Sequence, residues 1–360
     1  MKFLFLSSFA HLALDPAATR VAGGAELQVA LLVRELAARG HGAVIVGAED
    51  GQPRERLLEG VRCITGGRFH TGGLSDTLAA MPAVFGAIAR ERPDFIVVRG
   101  WTTWLFFLLA ARRRKGPRLI FQCSLDTELN GEFRRANPFR GALFEIGVRR
   151  ADGRFAMSET QRRLYKNRGL DCALYRNLVL PRTTPPPPKD LDLLWIARGQ
   201  AIKRPHHFLD LAEALPSARC AMICPREDAA LFQSVEARAT RLANVEFHEH
   251  VPYREAQTLF DRAEIFVNTS AWEGFANAFI QAGQGGAAIL SLSVNSDDVL
   301  TRFDAGVCAG DDPARLLAAA RELLADPARR RALQAGAARF VAEWHDNARN
   351  VDAFLTGLPL

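Results

Sequence analysis

No stretch of about 18 uncharged apolar residues occurs in the 360-residue chain, so no segment has the make-up of a membrane-spanning helix. The start, Met1-Lys2-Phe3-Leu4-Phe5-Leu6, lacks the apolar length and small-residue cleavage site of a secretory signal and reads as a first buried strand. Cysteine is sparse. The six stand at positions 63, 123, 172, 220, 224 and 308, and the one close pair, Cys220 and Cys224, has no second pair at zinc-ligand spacing. Reduced thiols, a cytoplasmic location and no metal site are therefore expected. Neither a helix-turn-helix nor an RNA-binding sheet with exposed aromatics is present, so nucleic acid is not an expected partner. No short internal repeat is visible, and no two carboxylates are placed to suggest an acid–nucleophile pair.

What is present fits a globular protein of two domains. Apolar residues make up 48% and charged residues 24%, over a length too great for one ordinary core. The net charge of +6 is uneven: residues 1–180 carry 27 basic against 17 acidic side chains, and the remainder 19 against 23. A basic first half points to an anionic partner there, an acidic acceptor or an anionic membrane surface.

Strand and helix patterns alternate. Phe3–Leu6, Ala43–Val46, Phe95–Val98 and Arg154–Met157 read as buried strands, and Gly23-Gly24-Ala25-Glu26 opens a helix running to Arg39. Another helix follows Ser75 and ends near Arg92-Pro93, while Ser158 to Gln161 has capping-box spacing. Pro181 to Pro188 reads as an extended spacer, after which the alternation restarts with strand Leu193–Ala197, helix Pro205–Leu215 and strand Cys220–Cys224. This alternation predicts an α/β protein of two parallel, doubly wound sheets.

Two stretches carry chemistry. In the first, a short apolar run, Ile265–Val267, precedes Asn268 to Gln281, a polar turn with Glu273 and Gly274 and then a helix over Ala276–Ala282. Such a turn leaves backbone N–H groups open to phosphate or sugar oxygens, and Glu273 stands where a carboxylate accepts from vicinal hydroxyls. The competing interpretation is an ordinary connection with Trp272 and Phe275 packed in the core. The second stretch ends a strand in Arg198, with Lys203 five residues on at the edge where open α/β sheets bind ligands. A planar fork and a compact ammonium there suit a diphosphate; the alternative is two solvated loop charges.

Together these stretches resemble the retaining glycosyltransferases of family 4, over essentially the whole chain. The resemblance implies the GT-B fold: two Rossmann-like domains facing each other across a cleft. Residues 1–180 would form the acceptor side, 181–190 the linker and 191–343 the donor-nucleotide domain, with 344–360, around Trp344-His345, crossing back. Gly23 and Gly24 match the family's glycine loop, Arg198 and Lys203 its diphosphate-holding pair, and Glu273 with position 281 its Glu-x(7)-Glu signature. The backbone of Gly274, Phe275, Ala276 and Asn277 would meet sugar and phosphate oxygens. The segment Asn244 to Pro252, with His250 and Val251, would read the nucleotide base.

Three departures stand out. Gln281 replaces the second Glu, weakening ribose binding without abolishing it. The first domain's usual histidines are missing, and Arg99 and Asp126 are the expected acceptor-side replacements. Ala197 replaces the usual Gly before the arginine.

The function so implied is transfer of a sugar from a UDP- or GDP-sugar, with retention and without a metal or a covalently bound cofactor. The acceptor would be a glycan or a lipid-linked sugar of a bacterial surface polysaccharide or glycolipid. A catalytically silent sugar-nucleotide binder or scaffold and a GT-B nucleotide-sugar epimerase are the alternatives. Two basic stretches bear on membrane association, Trp101–Ala110 running into Arg112–Lys115, and Phe133–Arg150. Each reads either as a membrane-facing surface or as an ordinary amphipathic element.

Overall fold

The computed structural model describes residues 1–15, 23–49, 51, 53–67, 74–111, 116–182 and 185–359, the side chains of residues 253 and 254 excepted. The basic cluster 112–115 and residues 183–184 of the proline-rich stretch lie outside the described residues. The chain forms two compact units, Met1–Leu178 with Asn347–Leu360, and Val179–Asp346.

The first unit is built on an eight-stranded sheet, ordered β3-β4-β2-β1-β5-β6-β7-β8. Its strands are β1 (Lys2–Leu6), β2 (Gly42–Gly47), β3 (Glu55–Leu58), β4 (Val61–Thr65), β5 (Phe95–Arg99), β6 (Arg118–Gln122), β7 (Gly153–Ala156) and β8 (Ala173–Leu174). All pairings are parallel except β3 with β4. That antiparallel edge is a hairpin turning on Glu59 and Gly60, both at positive φ (48° and 79°), the backbone a two-residue hairpin loop requires.

The central strands are apolar throughout because both sheet faces are covered. On one face Phe3 stacks on Phe95 at 5.3 Å, and Phe354 packs 6.0 Å from Phe3 and 5.0 Å from Phe155. Phe354 belongs to the last helix, Asn347–Thr356, which Arg39 fastens through Asp352 and the Ala348 carbonyl. The helix Gly24–Ala38 is pinned by buried Gln28, whose amide exchanges two hydrogen bonds with the Leu178 backbone at 2.9 and 2.7 Å. Of the first basic stretch, Trp104, Leu105 and Leu108 are buried in the core.

The second unit has a six-stranded, all-parallel sheet ordered β11-β10-β9-β12-β13-β14. These are β9 (Leu191–Ile196), β10 (Cys220–Ile223), β11 (Val245–His248), β12 (Ala263–Asn268), β13 (Ala288–Ser291) and β14 (Gly306–Cys308). Trp344 and His345 stay with this unit, and the change of unit falls between Asp346 and Asn347, three residues beyond the sequence boundary at 343/344. Trp344 packs edge-on to Phe303 at 5.1 Å, and His345 is buried between Phe340 and Phe275.

The proline-rich stretch is not a free spacer at its ends. Arg182 forks onto Asp261 at 3.1 and 2.9 Å and reaches the Gln284 carbonyl at 2.7 Å. Lys189, its pKa lowered by burial, donates to the carbonyls of Asp261, Ala263 and Gly285. Both side chains tie the stretch to the second unit.

Candidate functional site

In each sheet the chain winds outward in two directions from a central pair of strands. That pair is β1 and β5 in the first unit, and β9 and β12 in the second. The loops leaving the carboxyl ends of such a pair diverge and open a crevice, where ligands of doubly wound sheets bind.

At the second unit's switch point the loop after β9 brings Lys203, and the loop after β12 brings Glu273. Lys203 Nζ lies 2.6 Å from Glu273 Oε1, and Ser270 Oγ donates to the same oxygen at 2.7 Å. The two side chains are only 15% and 18% exposed, so water screens this pair far less than a surface pair. One of the three ammonium donors is thus used, and Glu273 Oε2 accepts no hydrogen bond among the described residues. The pair therefore offers an oxygen-rich guest both a cation and an acceptor.

The backbone beneath is laced together. Trp195 Nε1 donates to Thr269 Oγ1 at 2.8 Å, Thr269 Oγ1 donates to the Lys203 carbonyl at 2.6 Å, and Ala271 N donates to the Ile202 carbonyl at 2.9 Å. Arg204 holds the arrangement. Its φ of 47° is left-handed, a conformation that costs a non-glycine residue about 1–2 kcal/mol. Its guanidinium offsets that by bonding the Thr269 carbonyl (2.9 Å), the Ser270 carbonyl (3.2 Å), Asp311 Oδ1 (2.6 Å) and Ser293 Oγ. Loops following β9, β12, β13 and β14 are thereby joined by one side chain. Sequence reading missed Arg204, Ser270, Ser293 and Asp311, and the only available signal was an arginine directly before the proline that opens the next helix.

Arg198 and Lys203, the two cations of the loop after β9, bond different carboxylates. Arg198 is 57% exposed and donates from Nε to Glu227 Oε1 at 2.6 Å, in the loop after β10, where Gln200 also donates to Glu227. Between them, Gly199 passes so close to Pro225 that a Cβ would sit 2.0 Å from its carbonyl oxygen. Gly199→Ala is expected to push these loops apart and cost about 1–3 kcal/mol, read as a lower denaturant midpoint at unchanged slope.

Beyond Glu273, Gly274, Phe275 and Ala276 are buried, and the Phe275 ring sits 5.5 Å from His345. Trp272, by contrast, is 45% exposed and not part of the core. The following helix runs Asn277–Gln284, a residue later at its start and two later at its end than the sequence suggests. Its N-cap is Ala276, with no side-chain cap, and the positive end of its dipole suits an anionic guest. Gln281 is half-buried in that helix. His250 is exposed and Val251 half-buried in the loop after β11, the edge strand two places from β9.

In the first unit, Gly23 is the N-cap of the helix Gly24–Ala38 and again provides no side-chain cap. Arg99 ends β5, and Asp126 opens a short turn after β6, half-buried. Glu128, two residues on, carries no signal in the sequence pattern. Its carboxyl is 4% exposed, accepts from Ser124 N at 2.9 Å, and is pushed up to about 7 by burial. All six cysteines are free.

Residues 23–198 match the Glycosyl transferase 4-like domain and residues 190–326 the Glycosyl transferases group 1 domain. No curated protein gives a significant sequence match. Among solved structures, sucrose-phosphate synthase from Thermosynechococcus elongatus superposes with a TM-score of 0.80 at 16% identity, over 99% of this chain and 98% of that one. The trehalose-6-phosphate synthase OtsA gives 0.75 at 14% identity, over 99% and 98%. HepE of Anabaena, solved with UDP-glucose, gives 0.74 at 16% identity, over 99% and 100%. At such identities the likeness is one of fold. With two glycosyl transferase domains spanning residues 23–326 on that fold, the chain is a glycosyltransferase of the GT-B type.

Proposed function

We propose that the protein is a family 4 enzyme that moves the sugar of a nucleotide-diphosphate sugar, UDP- or GDP-linked, onto an acceptor hydroxyl with retention and without a bound metal. The observation that carries this reading is the shielded Lys203–Glu273 pair at the second unit's switch point, ahead of a helix whose first turn is uncapped. The UDP-glucose held by HepE supports the donor class. Lys203, with two ammonium protons to spare, and the N–H groups of helix Asn277–Gln284 would meet negative charge growing on the leaving diphosphate. Glu273 Oε2 would accept from sugar hydroxyls and hold the ring. As the anomeric carbon loses its bond to the phosphate oxygen, the acceptor oxygen bonds to it on the same face. The acceptor proton passes to the departing diphosphate.

A bacterial surface polysaccharide or glycolipid is the acceptor class this reading favours, with the enzyme at the cytoplasmic face of the membrane. Supporting that place, helix Pro138–Arg150 leaves Phe139 65% exposed near its start and ends in Arg149 and Arg150, both exposed. Among the described residues no helix is long and apolar enough to cross a membrane.

Thermal shifts with UDP, GDP, ADP and their common sugars, on wild type and Lys203→Ala, test the donor site. A ligand at 100 times its dissociation constant adds about 2.7 kcal/mol of stability. One nucleotide family is expected to stabilise the wild type and to lose most of its effect in the variant. If no nucleotide moves the melting point, the donor assignment fails. Binding without turnover on any acceptor would identify a silent binding protein instead.

A further inference from the structure

The first unit contains a half-buried cation whose guanidinium keeps one buried N–H unpaired. Arg99 ends β5 beside β1, so it stands at that unit's switch point. Its Nη2 donates to Asn177 Oδ1 at 2.8 Å and reaches Met157 Sδ at 3.8 Å. Its Nε is buried without a partner, and among the described residues Glu128 and Glu26 act on it through their charge without an ion pair. Burial lowers its pKa, yet a guanidinium remains cationic at any physiological pH.

Gln122 compounds the deficit. It is the register partner of Arg99 on the neighbouring strand, so both side chains leave the same face of the sheet. Gln122 is 2% exposed, and neither its amide nitrogen nor its amide oxygen has a hydrogen-bond partner. Buried polar groups are paired as a rule, and leaving a charged one unpaired is costlier than leaving a neutral one. The unmet guanidinium and amide N–H donors side by side, where doubly wound sheets bind ligands, suit an anion, and the unmet amide oxygen suits a hydroxyl next to it.

We infer that the acceptor bears an anionic group, a phosphate or a carboxylate, and that Arg99, assisted by Gln122, receives it at the first unit's switch point. This rests on the glycosyl-transfer reading above and names the class of its acceptor. A guanidinium fork selects a planar carboxylate or two oxygens of a phosphate over a neutral hydroxyl, which gives this enzyme a way to refuse uncharged glycans. Neutral sugars bring no charge to the Arg99 site and leave its desolvation uncompensated.

Isothermal titration of the full chain tests this, with inorganic phosphate, glycerol phosphate and glucuronate as probes and glucose as the neutral control. Wild type is expected to bind one or more of the anions, and Arg99→Gln to bind them about 10- to 100-fold more weakly. Phosphate ester above glucuronate places the group on a sugar or lipid phosphate; the reverse order places it on a uronic acid. Unchanged binding in Arg99→Gln, loss in Lys203→Ala alone, or no preference for anions over glucose in wild type would each overturn the inference. Should Arg99→Gln fail to fold, Arg99→Lys decides. It keeps the charge but not the fork, so severalfold weaker binding supports the assignment and unchanged binding refutes it. The nucleotide thermal shift, run on the same variants, keeps the two readings apart. If it persists in Arg99→Gln while anion binding is absent from wild type, the donor site stands and only the acceptor class is wrong.

Discussion

Lys203→Ala is expected to slow sugar transfer by about 10²- to 10³-fold at saturating donor. The estimate comes from the loss of one preorganised donor to developing charge, about 2.7–4 kcal/mol of barrier. Lys203 qualifies because it is only 15% exposed and held in place from both sides: Glu273 takes its ammonium at 2.6 Å, and Thr269 takes its carbonyl. Removing it also strips Glu273 Oε1 of its cation, leaving Ser270 Oγ as that oxygen's partner. Donor affinity should therefore fall along with turnover. Glu273→Gln tests the coupling from the other side, since the amide keeps the shape and loses the charge. If the pair acts as a unit, the double variant is less impaired than the two single losses combined, by 0.5 kcal/mol or more. Arg198→Ala is expected to be milder, because Arg198 is 57% exposed and already engaged by Glu227. Turnover of Lys203→Ala within threefold of wild type, measured as product formed per enzyme, would move the diphosphate away from this switch point.

The difference between those two cations shows where sequence reading runs out. The strand pattern, the two-domain division and the polar turn after Ile265–Val267 are legible because burial on both faces of a parallel sheet forces continuous apolar runs. A spacing of five residues, however, fixes nothing about direction. Gly199 packs on the Pro225 backbone, Glu227 from a different loop takes the Arg198 guanidinium, and Glu273 takes the Lys203 ammonium. Arg204 was invisible for the same reason. Its role depends on a left-handed backbone and on partners that follow β12, β13 and β14, none of them near in sequence. The β3–β4 hairpin escaped notice because its turn is Glu59-Gly60, and glutamate carries none of the turn preference of asparagine or aspartate. Asp126 and Glu128 are two residues apart and chemically alike. Only the tertiary structure buries the second more deeply and raises its pKa.

That burial has a measurable consequence: the protein should lose stability as pH rises through neutrality. Glu128 titrates at about 7 in the folded chain against an ordinary value of 4.5, because burial disfavours its charged form more than its hydrogen bonds from Ser124 and Cys123 and the positive charge of Arg99 favour it. Between those values the folded state keeps a proton that the unfolded state has released, so unfolding free energy declines with pH. The contribution is complete below about pH 4.5 and is lost as pH rises through about 7, amounting to about 3 kcal/mol by pH 8.5. Glu128→Gln removes the titration and keeps an oxygen for Ser124 N. In urea unfolding its stability relative to wild type should therefore climb with pH, gaining about 3 kcal/mol between pH 5 and 8.5. A wild-type-to-variant difference that stays flat over that range would mean Glu128 ionises normally and is better hydrated than its surroundings suggest. The same proton bears on Arg99. Once Glu128 ionises, more of the charge that would hold an acceptor anion is met from within. Anion affinity at Arg99 should thus weaken above pH 7 in wild type and stay level in Glu128→Gln, which ties the stability curve and the acceptor site to a single carboxyl group.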